Sequence, residues 1–237
     1  MRPIGFSTGA LARADFKLAL HLLEGKPVDS IELSALRSQE LPALLNAIAG
    51  LPLTPYRYVA IHAPSQFLEN DENEIAELLR KFVPPNWPIV LHPDTIFDFA
   101  AWRPFGAQLA IENMDRRKSI GRTAEELSII FAKLPEARFC FDIGHARQFD
   151  TTMTEAYRIL KSFANRMCQV HVSEVNSSSQ HDPLSYASKL AFMQVAGLIS
   201  EGIPLIVESR VSEDQIIGEI SKLREAFPSA RNSNGAA

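Results

Sequence analysis

Hard metal ligands and proton carriers recur in this 237-residue chain at one kind of place, the end of a short apolar run. VAIHAP stops at His62, PIVLHPD at His92 and QLAIENMD at Glu112, while RFCFDIGHA gives Asp142 and then His145. QVHVSE and PLIVESR repeat the pattern with His171 and Glu208. A single histidine at such a position is more often a hydrogen-bonded structural residue than a ligand. The set reads differently. Glu112, Asp142, His171 and Glu208 close four successive runs, and three carboxylates with one imidazole around a point repel strongly without a cation. Their oxygen-rich character suits Mn2+ or Mg2+, and added histidines (His62, His92, His145, His181) would move the preference toward Zn2+.

Ligands so far apart in the chain meet only if one architecture aims every run at the same spot. Eight β-type runs are expected at Ile4–Ser7, Ser30–Leu33, Tyr58–His62, Ile89–His92, Gln108–Glu112, Arg138–Asp142, Gln169–Val172 and Pro204–Glu208. Helical patterns alternate with them at Asp15–Leu23, Leu41–Ala49, Glu72–Phe82, Thr95–Ala101, Ala124–Lys133, Thr154–Phe163, Leu184–Ser200 and Glu213–Ala226. EELSIIFAKL, for one, shows the i, i+3, i+4 apolar spacing of a helix packed on one face. Strand–helix alternation with short links implies parallel strands and right-handed crossovers. A closed parallel barrel alone puts all its strand C-termini around one mouth, which favours an α/β fold, a single (β/α)8 TIM barrel, over residues 1–230. An open doubly wound sheet is the competing arrangement, but no GxGxxG turn follows the first run. The small polar tail 231–237 (RNSNGAA) is expected to be disordered.

Hydrophobic residues make up 46% and charged ones 22%, enough apolar material for one large core. The formal net charge of −4 offers no general attraction to nucleic acid or an anionic membrane, so neither is an expected partner. MRPIGFSTGA lacks the apolar core of a signal peptide, and no apolar stretch approaches the ~20 residues of a membrane span. A cytoplasmic location is expected, with Cys140 and Cys168 as buried reduced thiols inside strands.

The strand endings resemble those of the xylose isomerase-like barrel superfamily, which includes ketose epimerases, hydroxypyruvate isomerase, inosose dehydratase and the endonuclease IV group. The resemblance spans essentially the whole chain, and its most specific pieces are IENMD, DIGHA, VHVSE and VES. In the epimerase-like members, the residues matching Glu112, Asp142, His171 and Glu208 hold one divalent metal, and the one matching His145 contacts substrate. Endonuclease-like members also use the residues matching His62 and His92, and assemble up to three metals. That group carries an Asp-x-His pair after the seventh strand, where this chain reads Ser179-Gln180-His181. The aspartate is replaced.

Two enzymatic readings and one inert reading follow. In the first, a bound metal polarises a small sugar or sugar-phosphate-like carbonyl compound, and Glu112 and Glu208 pass the proton next to the carbonyl. His145 would position a substrate hydroxyl, with His62, His92, Glu32 and Arg116 as further substrate contacts. Arg116 belongs to a basic cluster with Arg117, Lys118 and Arg122 that could attract a phosphate or carboxylate. Phe67, Trp87, Trp102 and Phe149 stand where they could wall a pocket. In the second reading His62 and His92 help hold another ion in an endonuclease IV-like phosphodiesterase. In the third, the barrel keeps its ligands without turnover. The isomerase reading ranks first, because the acidic balance counts against a DNA enzyme.

Overall fold

The computed structural model describes residues 2–228, so the tail expected to be disordered lies outside the described residues. Its ten strands are β1 (Ile4–Ser7), β2 (Ser30–Ser34), β3 (Tyr58–His62), β4 (Ile89–Leu91), β5 (Leu109–Glu112), β6 (Arg138–Asp142), β7 (Met167–Val172), β8 (Glu174–Val175), β9 (His181–Asp182) and β10 (Leu205–Val207). Eight of them close a parallel barrel in the order β1-β2-β3-β4-β5-β6-β7-β10, with β10 returning to β1. The chain is a (β/α)8 TIM barrel. All eight expected strands are present, with ends shifted by two residues at most.

Burial on both faces explains why the strands read as continuous apolar runs rather than alternating ones. The face turned toward the helices carries Phe6, Ile31, Ile61, Ile111, Phe139 and Phe141, all with no exposure. These pack with helix residues such as Leu79, Leu127, Ile159 and Leu223 into one continuous core. A separate small cluster of Val90, Ala110, Cys140 and Cys168 lies on the other face, where Val90 pairs with His62 and Cys140 with Glu112 in register. Both cysteines are buried and free.

Helices Glu72–Phe82, Ala124–Lys133 and Thr154–Phe163 keep the expected bounds. Thr123 Oγ1 caps the second by accepting from Glu126 N at 3.2 Å, which satisfies one of its orphan amides. The segment expected as one helix over Thr95–Ala101 is instead a short turn, Pro93–Thr95, and a four-residue helix, Phe99–Trp102. Asp98 causes the restart, because its carboxylate accepts from Ala100 N at 2.8 Å and caps a new helix. Three short elements were not expected: helix Thr8–Ala12, helix Ile143–Phe149, and the antiparallel pair β8–β9 around the NSSSQ loop. No helix among the described residues is long and apolar enough to cross a membrane.

Register shifts once in the barrel. Phe139 pairs with Met167 but Cys140 pairs with Gln169, which leaves Cys168 as an extra residue in β7. Beyond this bulge Asp142 stands beside His171 at the strand tips.

Candidate functional site

Glu112 ends β5 and is the hub of the mouth. Its Oε2 lies 3.2 Å from His62 Nε2 and 3.3 Å from His92 Nε2. Its Oε1 lies 3.3 Å from His145 Nδ1 and 3.4 Å from His171 Nδ1. One carboxylate, 1% exposed, therefore faces four imidazoles.

Each neighbour is held by a separate device. Asp142 ends β6 and at once caps helix Ile143–Phe149, with Oδ1 accepting from His145 N at 2.6 Å. The D-x-x-H spacing is thus that of an N-cap and its third helical residue. It commits one carboxylate oxygen to the backbone and leaves Oδ2 without a hydrogen bond, 3.4 Å from His145 Nδ1. Gly144 lets this helix start tightly, since a Cβ there would sit 2.5 Å from Ser173 O. The Asn113 side chain clasps the same corner, donating to Asp142 O and accepting from Asp142 N, both at 2.8 Å. The Asn113 backbone carbonyl also meets His145 Nδ1 at 3.0 Å, which makes that nitrogen the donor.

His171 is fixed from behind. Its Nε2 lies 2.9 Å from Glu32 Oε2, and Gln169 Nε2 donates to the same carboxylate oxygen at 2.5 Å. Tyr58 closes the chain by donating to Gln169 Oε1 at 2.7 Å. His171 Nδ1 then points at the mouth without a hydrogen-bond partner, 3.5 Å from Glu208 Oε2. A buried ring that gives one nitrogen to a carboxylate and leaves the other free is arranged as a metal ligand is. His62 is held similarly, with Nδ1 directed at Ala63 O at 2.7 Å. His181 returns to the site on β9, its Nδ1 2.9 Å from Ser173 Oγ and 3.4 Å from Glu208 Oε2.

The electrostatics follow from this crowding. Burial opposes ionisation of Glu112, but His171, His92 and His145 overcome it and hold the carboxyl well below the usual range. Burial also opposes charge on His62 and His145, yet the surrounding carboxylates raise them to about 9 and about 10. His171 is likewise raised well above its ordinary value. Glu208 goes the other way. Burial, reinforced by Glu112 and Asp142 against the pull of His171, lifts its carboxyl to about 8. His181, half-buried, drops to about 3 through desolvation and the charge of His145.

Donor atoms of Glu112, Asp142, His171 and Glu208 lie within 4.8 Å of one another, as do those of His62, His92 and Glu112 and those of Asp142, His145 and His181. The residues fit a divalent ion. Two of the four main donors, His171 Nδ1 and Asp142 Oδ2, are buried polar atoms with no hydrogen-bond partner, meeting only oppositely charged neighbours at 3.4–3.5 Å. His62, His92, Glu112, His145, His181 and Glu208 line a cavity of about 180 Å³, together with Arg117, Lys118, Asp115 and Ser179.

Two expected substrate contacts stand elsewhere. Glu32 has no exposure, because it lies behind His171 and is engaged by it and by Gln169. Arg116 does not line the cavity; its guanidinium reaches Ser177 O at 3.3 Å on the β8–β9 turn. The rest of the basic cluster is largely neutralised, Arg117 by Asp115, Lys118 by Asp94 and Arg122 by Glu126. Ser179, where the resemblance would put an aspartate, has φ 52° and donates to Asp115 Oδ1 at 2.9 Å. Sequence reading missed Asn113 and Gln169. Gln169 had a readable signal, since it lies two residues before His171 on one strand and so shares its face.

No family model and no curated protein matches this sequence. Solved structures do. The 3-keto-D-glucoside 4-epimerase YcjR from E. coli, in its apo form, superposes with a TM-score of 0.51 at 13% identity, covering 95% of this chain and 99% of that one. A protein named as a candidate sugar phosphate isomerase/epimerase from Anabaena variabilis gives 0.58 at 12% identity, covering 94% and 88%. The chain has the barrel fold of sugar isomerase/epimerase structures. An uncharacterized B. cereus protein also matches, at a TM-score of 0.50 and 14% identity, over 97% of this chain and 65% of that one.

Proposed function

We propose that the protein is a divalent-metal-dependent isomerase or epimerase of a small sugar or sugar-like carbonyl compound. One observation carries this reading: four successive strand ends deliver Glu112, Asp142, His171 and Glu208 to one point, with two buried donor atoms that make no hydrogen bond. Mn2+ or Mg2+ suits the three carboxylates, and Zn2+ suits the histidine-rich surroundings. When bound, the ion supplies Lewis acidity toward a carbonyl and a neighbouring hydroxyl, which acidifies the C–H between them.

The chain's own groups divide the remaining work. Glu208 faces the cavity, so its carboxylate is placed to take and return the proton. Glu112, kept ionised by its imidazoles, supplies fixed negative charge at the hub of the mouth. His145, with Nδ1 on Asn113 O, is oriented to hold a substrate hydroxyl in the cavity. The names of the E. coli and Anabaena variabilis structures support a sugar as the substrate class.

The test loads the purified protein with Mn2+ or Mg2+, counts bound ions, and follows deuterium uptake from D2O into a panel of ketoses and ketose phosphates. Exchange at the carbon beside the carbonyl, absent after chelation, is expected. Its absence across the panel would remove the isomerase reading.

A second reading, a phosphodiesterase, is favoured by the triads His62–His92–Glu112 and Asp142–His145–His181. The net charge of −4 and the paired basic cluster weigh against it. Incision of an abasic-site duplex by Mn2+- or Zn2+-loaded protein, lost in Glu208→Ala, would reverse the ranking.

A further inference from the structure

Beside the cavity at Glu112 lies a second, larger space that the proton-transfer chemistry does not use. It measures about 540 Å³ and is walled by Arg37, Gln39, Phe67, Leu68, Asp71 and Phe97, among others. Ser65, Gln66 and Lys118 line both spaces, so the two share a wall. A β-bridge between Arg37 and Gln66 ties the loop after β2 to the loop after β3 along it.

Its surface is unusual for the rim of a barrel. Leu68 is 72% exposed and Phe97 47% exposed, and Phe97 meets Phe67 edge-to-face with ring centroids 6.1 Å apart. Large apolar side chains left in water and clustered beside a reactive centre mark a surface built to be covered. The polar part of the wall is Ser, Gln and Asp, the donors and acceptors that recognise hydroxyls. Charge balances there: the two cations, Arg37 and Lys118, are matched by two carboxylates, Asp71 and Asp94. Lys118 is itself paired with Asp94 at 2.6 Å. Such a wall selects an uncharged occupant with one apolar face over a phosphate.

Size argues the same way. A typical small-ligand site occupies ~300–1,000 Å³. The cavity at Glu112, at about 180 Å³, falls short of that, whereas the adjoining groove lies within it. From this geometry we propose that the substrate is an uncharged two-ring glycoside. Its reacting ring, which carries the carbonyl, occupies the cavity at Glu112 and Glu208, and its second ring lies against Phe67, Leu68 and Phe97. This deepens the isomerase reading and rests on it.

The experiment measures dissociation constants by ligand-observed NMR on Mg2+-loaded protein. Neutral disaccharides are compared with their component monosaccharides and the corresponding 6-phosphates. At least one disaccharide is expected to bind about tenfold or more tightly than its monosaccharide and its phosphate, as an added aromatic contact allows. In Phe97→Ala and in Leu68→Ser that preference should fall toward unity, and Phe97→Tyr should keep it. Both altered side chains are substantially solvent-exposed, so the fold is not at stake, and circular dichroism checks this. Monosaccharide binding without a disaccharide advantage, or a phosphate that binds best, overturns the two-ring assignment and leaves the isomerase reading standing. Failure of every carbohydrate to bind overturns both. An abasic duplex that binds instead, and loses affinity in Phe97→Ala, gives the groove to nucleic acid.

Discussion

The barrel buries carboxylates in two regions, and they are treated oppositely. In the helical layer Glu72, Glu155 and Glu219 are 3%, 7% and 1% exposed. Each is saturated by donors. Glu72 accepts from Phe97 N, Asp98 N and Trp102 Nε1 at 2.7–2.8 Å. Glu155 accepts from Ala124 N and Arg158, and Glu219 from Leu184 N, Ser209 Oγ and Lys222. At the mouth, Glu112, Asp142 and Glu208 face imidazoles and one another, and Asp142 Oδ2 has no hydrogen-bond partner. Burial alone does not mark a functional carboxylate. What separates the two regions is that the first set meets backbone amides and side-chain donors that satisfy it, and the second meets imidazoles and other carboxylates.

The largest effect that should separate the regions is on rate. Glu208→Gln keeps the shape of the site and removes its proton carrier, so deuterium exchange should fall by roughly 10²–10⁴-fold. Thermal unfolding should barely move. A variant that unfolds readily and exchanges normally would reverse the assignment of Glu208 to the site. Glu72→Ala should do the opposite. It strands the Trp102 Nε1–H and two backbone amides, at a cost of roughly 2–4 kcal/mol in chemical denaturation, with ion binding intact.

A smaller effect concerns pH. His62 and His145 are raised to about 9 and about 10, so their contribution to stability is complete below their ordinary value near 6.5 and is lost as pH climbs through those values. Chelator-treated protein should therefore melt progressively lower between about pH 8 and pH 10. Saturating Mg2+ or Mn2+ should flatten that decline, because an ion takes over the charge the imidazolium protons supply. A flat profile without the ion would mean that these histidines are not the charge reserve of the mouth.

The strand ends were legible because a doubly buried strand is an uninterrupted apolar run, and a charged residue at its end stands out. Hence Glu112, Asp142, His171 and Glu208 were found by type and position, and they converge. The supporting residues were harder. Asn113 reads as one more loop residue until its side chain is seen gripping Asp142 from both sides of the peptide. Glu32 looked like a substrate contact because it also ends an apolar run. Only the depth of β2 behind His171 shows that it orients a ring instead. Helix Ile143–Phe149 was hidden because its cap is a candidate ligand, and a single aspartate serves both ends of that description.

The extra residue in β7 has a consequence for how the chain tolerates length change. Side chains on a strand alternate with period two, so everything after Cys168 is aimed by counting rather than by chemistry. A one-residue deletion at Val170, beyond the bulge, would leave every ligand type in the sequence and every helix in place. It would pair His171 with Phe141 in place of Asp142 and turn its ring toward the helices, whereas loss of Cys168 itself would leave Asp142 opposite His171. The site is thus written partly as a number, the parity of one strand, which no inventory of its residues records.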